Sequence, residues 1–441
     1  MKITGIICEY NPFHNGHLHQ INQIKKSSDD FVICVMSGDW VQRGGPAIID
    51  KYSRAKMALK AGADVVFELP VIYSTSSAAD FAFGGVSLLN SLGCVDELCY
   101  GCENPNNSNF EKVIALMNEK GDQIGDEIAL LMKEGNTYPK ARETVLLKYT
   151  DSSTLEEMSR SNNILAMEYN MALKKLNSSI RPLPILRTGS DYSDTKLNTD
   201  SFSSASAIRE SILSSYDFII NDDSSIREDA IPVASTYISC TGLAVRQAMS
   251  EPLSPIKSHV PDSTYEILLE QIGKTYPLTY INFSRELGYK LILEAKNGYE
   301  SYMDVNKELS DKITKNLCYF KSVDQFCNLL KSKDITYSRI NRCLTHILLN
   351  IRKDTLDKSL GVPYARLLGF RKDSEKVLSR IKEHSSIPMI SKLADAPKYL
   401  DDKALEILGK DIQSAHMYDM VSACKYQNDL KNEMTRQIVI V

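Results

Sequence analysis

No stretch of this sequence approaches the ~18 consecutive apolar residues that a membrane-crossing helix needs. The apolar segment at residues 3–8 is one strand long and runs into Glu9, with no small-residue cleavage site after it, so a secretory leader is not expected and the cytoplasm is the expected compartment. Several phosphate motifs are missing. There is no G-x-G-x-x-G, and Gly273-Lys274-Thr275 has Leu268 where a P-loop requires its first glycine. Residues 366–371 begin like an acetyl-CoA pyrophosphate loop, but Arg371 stands where a small residue is needed. A metal-binding reading also lacks its partner. Cys99 and Cys102 form a single CxxC, and a four-thiolate zinc site needs a second pair. The ten cysteines, scattered through 441 residues, read as reduced thiols.

What is present is an ordinary globular composition, 43% hydrophobic and 24% charged, with a length that suits two or three domains. Residues 1–215 alternate strand and helix signals. Strands are expected at 3–8, 31–36, 64–69, 97–100 and 181–187, and helices at 17–24, 50–61, 77–92, 110–118 and 205–213. Unbroken apolar strands between amphipathic helices imply an α/β fold with a parallel sheet covered on both faces. Ligands of such sheets bind at the carboxyl ends of the strands. Polar stretches at 221–229 and 251–263 mark possible boundaries, and residues 216–441 read as mainly helical. Within them Ile340, Cys343, Leu344, Ile347, Leu348 and Ile351 form an apolar stripe, with Arg339, Arg342, His346, Asn350 and Lys353 opposite it. The net charge is −4, yet residues 331–382 carry thirteen Lys/Arg against five Asp/Glu. A basic module on an otherwise acidic chain points to a polyanionic partner.

The first strand leads into Glu9-Tyr10-Asn11-Pro12-Phe13-His14-Asn15-Gly16-His17. Pro12 favours a turn and Gly16 admits close backbone approach. A helix starting here turns its free N–H groups and positive dipole end toward the strand terminus, where an anion would sit. His14 and His17, three apart, share one helical face and can stabilise charge on a departing pyrophosphate. Downstream, Ser204-Ala205-Ser206-Ala207-Ile208-Arg209 places hydroxyls at a helix start and Arg209 one turn in, suited to β- and γ-phosphates.

The HxGH pattern resembles the signature of the nucleotidyltransferase and class I synthetase superfamily, and 204–209 is similar to its SSTxxR segment, with Ala205 in second place; no KMSKS loop is apparent. The resemblance implies a Rossmann-like, HUP-type catalytic domain. A narrower resemblance covers residues 1–215 densely. The HxGH turn, Met36 to Ala47 with its Gln-Arg-Gly-Gly-Pro-Ala stretch, Lys51, Arg54 to Leu59, Phe67-Glu68-Leu69-Pro70, Gly101, Asn162-Asn163 and Arg187 look like the bacterial tRNA(Met) cytidine acetate ligases, and so does Tyr337 to Arg342. Gly45 departs from the pattern, which has an acidic residue there.

That resemblance implies an enzyme that forms acetyl-adenylate from acetate and ATP and transfers the acetyl group to N4 of the wobble cytidine of elongator tRNA(Met). It implies ATP contacts from Ile7, Cys8, Glu9, Tyr10, Asn11, Pro12, Phe13, His14, Asn15, Gly16, His17, Leu18, His19 and Gln20. Gly101, Asn162 (or Asn163, in the other register), Arg187, Thr188, Ser204 and Ser206 would complete the set. His14, His17 and Arg209 are the expected catalytic groups, and Mg²⁺ would travel with the nucleotide, with no metal site of the protein's own. Arg339, Arg342 and Lys353 would track RNA. Two other readings stay open: a nucleotidyltransferase for a small molecule, and a non-catalytic protein that binds ATP and RNA.

Overall fold

The computed structural model describes residues 1–441 except 104–107, 137, 153, 156–160, 188–195, 199–200, 223–251, 333–334 and 356–360. The first half follows the expected alternation: β1 (Lys2–Cys8), α1 (Asn15–Ile24), β2 (Asp30–Ser37), α2 (Lys51–Lys60), β3 (Val65–Leu69), α3 (Val71–Ser74), α4 (Ala78–Ser91) and β4 (Glu97–Cys102). After these come α5 (Ser108–Lys133), α6 (Tyr138–Leu146), α7 (Ser161–Lys175), β5 (Arg181–Leu186) and α8 (Ala205–Asp222). Strands β5-β4-β1-β2-β3 lie side by side and parallel. Because successive strand residues face opposite sides, Phe31, Ile33 and Val35 enter the layer of α4 and α7, while Val32, Cys34 and Met36 enter that of α1, α2 and α8. Strand order reverses at β1, which has β2 on one side and β4 on the other. This switch point opens a crevice at the carboxyl ends of the strands.

α5 is 26 residues long, far beyond the nine expected. It runs through Gly121 and Gly125, because a helix glycine costs only about 1 kcal/mol. Its Val113, Ile124 and Ile128 pack with Ala141 and Val145 of α6 in a separate small core.

The second half supplies α9 (Asp262–Gln271), α10 (Ser284–Glu294), α11 (Lys307–Asn316), α12 (Val323–Leu330), α13 (Tyr337–Leu348), α14 (Glu375–His384) and α15 (Asp402–Tyr426). It also extends the sheet. β6 (Ala365–Phe370) pairs antiparallel with β3, and β7 (Met389–Ile390) and β8 (Val439–Ile440) pair with β6. Residues 366–371, set aside as a coenzyme loop, thus fall in β6 and at its exit. Arg366 breaks the apolar run that would have marked this strand, and it is buried in an ion pair with Glu68 of β3 at 2.7 Å. Lys51, at the start of α2, lies in the same buried cluster, 2.9 Å from Glu68, 2.6 Å from Glu433 and 3.7 Å from Asp39. Among the described residues no helix is long and apolar enough to cross a membrane.

Candidate functional site

The HxGH segment forms the entrance to α1. Tyr10 takes a left-handed backbone (φ 48°) and is held by its buried ring, which packs edge-on against Phe13 at 4.8 Å and whose hydroxyl lies 3.5 Å from the Cys34 thiol. His14 is the N-cap of α1. Its Nδ1 accepts from the Gly16 amide at 3.1 Å, and the His14 amide in turn donates to His17 Nδ1 at 3.2 Å. This reciprocal capping box, built from two imidazoles, stacks the rings with centroids 3.7 Å apart. A Cβ on Gly16 would sit 2.9 Å from His14 Cε1, so the pairing requires glycine between the histidines.

Those bonds fix the tautomer. Each Nδ1 is an acceptor, so the proton of each neutral ring resides on Nε2. Desolvation, then the charges of Arg187 and Arg209, lower the His14 pKa to about 3. Desolvation, with His14 and Arg187, also takes His17 well below its ordinary value. Near neutral pH the pair is therefore two uncharged Nε2–H donors.

Both rings line a cavity of about 200 Å³ at the switch point. Gly16, His19 and Gln20 of α1 contribute to it, as do Gly101 of β4, Asn162 of α7 and Arg187 just past β5. A Cβ on Gly101 would meet only Arg187 Cβ, at an ordinary 3.9 Å, so packing does not demand the glycine and the space above it is open. Between the two asparagine registers the structure places Asn162 on the cavity. Asn163 is buried and accepts from the Glu103 amide at 3.2 Å. Arg187 is set by its own amide, which donates to the Cys102 carbonyl at 2.8 Å and carries the β4–β5 pairing one step beyond the strands.

Other candidates stand behind the cavity wall. Arg209 donates to the Asn11 carbonyl at 2.7 Å and to Ser206 Oγ at 3.0 Å, bracing the turn from below. Ser204 caps α8 by accepting from the Ala207 amide at 3.0 Å. Asn11 Oδ1 holds the Ile48 amide at 2.8 Å. Ile7, Cys8, Pro12, Phe13, Asn15 and Leu18 do not line the cavity, and Thr188 lies outside the described residues. The sequence reading missed Ile185, Leu186, Phe202, Ser203 and Ala205 on the lining. Phe202, two residues before the Ser-Ala-Ser segment, packs its ring 5.4 Å from His19. Its nearness to that segment was the only available signal.

Glu9 does not line the cavity. Its Oε1 accepts from the Gln42 amide at 2.7 Å, tying β1 to the loop that follows β2. This loop folds on itself through Gly44 N–H to Val41 O (2.9 Å) and Val41 N–H to Gly45 O (3.1 Å). Its far side docks on α13, where the Gly45 amide donates to Thr345 Oγ1 at 3.0 Å. A Cβ on Gly44 would collide with the Arg342 backbone nitrogen. Gly45 has φ 109° and the Tyr280 ring 3.2 Å from where a Cβ would lie, so this loop conformation suits glycine and not a carboxylate.

On α13 the apolar stripe is buried as expected, but the opposite face is less free than its sequence suggests. His346 is fully buried and bonded to the Met303 and Thr75 carbonyls. Arg342 pairs with Asp304 at 3.3 Å and Arg339 is half-buried, while Asn350, with a left-handed backbone (φ 54°), and the exposed Lys353 fall past the end of the helix at Leu348 and do not extend its polar face.

This site and sheet have known counterparts. The family model described as HIGH nucleotidyl transferase matches residues 1–433. The chain is 37% identical to the tRNA(Met) cytidine acetate ligase of Clostridium perfringens over 96% of both chains, and 34% identical to that of Clostridium acetobutylicum over the whole of both. It belongs to the tRNA(Met) cytidine acetate ligase family. The crystal structure of apo Thermotoga maritima TmcAL superposes with a TM-score of 0.84 at 26% identity, covering all of both chains. The form bound with alpha-thio ATP gives a TM-score of 0.82, also over all of both chains. The likeness therefore extends over both halves of the molecule.

Proposed function

We propose that this chain joins acetate to the N4 amine of the wobble cytidine of elongator tRNA(Met), with ATP cut to AMP and pyrophosphate. One observation carries the chemistry: two neutral Nε2–H donors, with Arg187 lining the same cavity and Arg209 beside it, converge at the N-terminus of α1. A charged histidine pair would repel those arginines, whereas the neutral pair and the helix end can together receive polyphosphate.

In this reading the adenosine lies along the β4–β5 side of the crevice, over Gly101 and beside Asn162. An acetate oxygen attacks the α-phosphorus. The bond from that phosphorus to the bridging oxygen breaks, and the electron pair leaves with pyrophosphate. His14 and His17 donate to the oxygens on which charge grows, and Arg187 offsets the rest. Positioning and charge neutralisation suffice for this step, since acetate is its own nucleophile. The exocyclic amine of cytosine then attacks the acetyl carbonyl, AMP departs, and the amine proton goes to solvent or phosphate. That amine is a poor nucleophile, which is why an activated acyl group is needed, and the base must be splayed from its loop to reach it. Mg²⁺ would be held by phosphate oxygens and water; among the described residues no group of three or more His, Cys, Asp or Glu is placed to hold a metal.

Residues 1–215 would form the catalytic domain and 216–441 the part that meets RNA, with Arg339, Arg342 and Lys353 on its contact surface. The test is incubation of the protein with labelled ATP, acetate and total tRNA. N4-acetylcytidine should appear in the digested tRNA, with AMP and pyrophosphate as co-products, and acetyl-CoA should not replace acetate plus ATP. Stoichiometric ADP, or full activity with acetyl-CoA alone, would overturn this mechanism.

A further inference from the structure

Asn162 brings a side-chain amide to the nucleotide cavity, and an amide has two unlike ends. A partner behind the cavity wall decides which end is shown. Asn162 Nδ2 donates to Glu103 Oε1 at 3.1 Å. A carboxylate oxygen only accepts, so the amide atom that meets it must be the nitrogen. Asn162 lines the cavity and Glu103 does not. Oδ1 is therefore the polar atom that remains, with no protein partner among the described residues. Glu103 is itself held in place. Its amide donates to Asn163 Oδ1 at 3.2 Å, and the Cys102 thiol donates to the same oxygen at 3.4 Å. The first turn of α7 thus grips the exit of β4 with two adjacent asparagines, one on the main chain of Glu103 and one on its side chain. This clamp takes away the freedom of Asn162 to flip before any ligand arrives.

The rest of the lining indicates which part of a nucleotide meets that oxygen. His14, His17 and Arg187 offer donors, which suit phosphate. A carbonyl oxygen backed by a carboxylate does not, because phosphate has acceptors alone to offer. Ile185 and Leu186, at the carboxyl end of β5, line the same cavity, and Leu186 pairs with Cys102 next to Glu103. Leu186 is 54% exposed. Open apolar surface beside a fixed acceptor suits a flat base that carries a donor on its edge. A ribose hydroxyl would bond to either end of an amide, so locking the amide would discriminate nothing there. The exocyclic amine of adenine only donates, since its lone pair is delocalised into the ring. The oxygen that a 6-oxopurine carries at the same place only accepts. A locked Asn162 tells these two apart, because the wrong base sets one acceptor against another.

We propose that Glu103 is a positioning residue that locks Asn162 with its carbonyl toward the adenine amine, so that the site selects ATP over 6-oxopurine nucleotides. The inference rests on the reading given above, in which this cavity takes ATP with its adenosine beside Asn162. Equilibrium titrations with ATP, ITP and 2′-deoxyATP would compare the unaltered protein with Glu103→Gln and Asn162→Ala, each checked by thermal melting. They need neither acetate nor tRNA, so they stand apart from the acetylation test. The unaltered protein should prefer ATP to ITP by on the order of tenfold or more. Glu103→Gln should melt normally, weaken ATP by no more than about threefold, and bind ITP more tightly than the unaltered protein does. A glutamine can meet either end of Asn162, which lets the Asn162 nitrogen turn to the inosine oxygen. Damaged packing would weaken both nucleotides instead. Asn162→Ala should weaken ATP and bring the two nucleotides within about threefold of each other. An unchanged ATP-to-ITP ratio in both variants would overturn the proposal, and so would a parallel weakening of both nucleotides in Glu103→Gln. If Asn162→Ala erased a preference for ATP over 2′-deoxyATP and kept the ATP-to-ITP ratio, the contact would belong to the ribose and the proposal would fall. No ATP binding by the unaltered protein would overturn the placing of the nucleotide in this cavity, and this inference with it.

Discussion

His17→Ala should separate two roles that the structure assigns to one side chain. The first is structural: His17 Nδ1 accepts the His14 amide in the capping box, and its ring stacks on His14 and packs 4.7 Å from Tyr10. Loss of a cap costs about 1 kcal/mol, which in a protein of this size lowers the melting temperature by only a few degrees. The second is chemical. Its Nε2–H is a preorganised donor to the charge that develops on the departing pyrophosphate, and removal of such a donor typically lowers the rate about 10²–10³-fold, or roughly 2.7–4 kcal/mol of barrier. The chemical loss is thus roughly three to four times the structural one. His17→Asn sharpens the contrast, since its amide oxygen can occupy the Nδ1 position and restore the cap while its side chain is too short to reach where Nε2 lies. Stability should recover in His17→Asn and activity should not. The measurement is the acetylation rate at saturating ATP, set beside thermal melting. Activity within threefold of the unaltered protein in a folded His17→Ala would refute the assignment. Activity that returned with stability in His17→Asn would reduce the histidine to a helix cap.

Combining Arg339→Glu with Arg342→Glu should weaken tRNA binding in a filter assay while ATP affinity holds, since both lie on α13 and neither lines the nucleotide cavity. Glu433→Gln should destabilise the fold by about 3–5 kcal/mol in denaturant titrations, because it leaves Lys51 and Arg366 buried with too little negative charge. The histidine pair also sets an acid limit on stability. Both folded-state pKa values lie below the ordinary one, so the unfolded chain takes up these protons first, and stability should fall as pH drops below about 6.5, a loss that for His14 ends near 3. Unfolding free energies measured from pH 7 to 4 should show a shallower decline in His14→Gln; an identical slope would contradict the buried neutral pair.

The parallel half of the sheet was legible because its strands are continuous apolar runs bounded by Gly, Pro and Asp, and because β1 ends directly in a motif whose spacing has a mechanical meaning. The histidines and Gly101, Asn162 and Arg187 could be named for the same reason, or through family likeness. What stayed hidden depends on partners remote in sequence. β6 carries a buried arginine in mid-strand, and only the acids from β3 and from Glu433 make that tolerable. His346 falls on the polar side of its helix by periodicity, yet two carbonyls from Thr75 and Met303 draw it inside. Glu9 sits within the nucleotide motif and turns out to serve the neighbouring loop. Local pattern places a residue on a face, but it does not say what another segment will bring to that face.

The way the C-terminal strands close the sheet also bears on how the protein comes into being. Ser374 bonds to Asp64, 310 residues earlier, and Tyr52 to Glu433, 381 residues away. During synthesis the nucleotide-binding half emerges first, with β3 as an open edge and Lys51 still without Glu433. Such an edge invites pairing with other chains until it is covered. The interval between translation of β3 and arrival of β6 is therefore when the nascent chain is most exposed to aggregation and most in need of chaperones. A product cut short before residue 365 would keep that edge permanently, which makes incomplete chains targets for proteolysis.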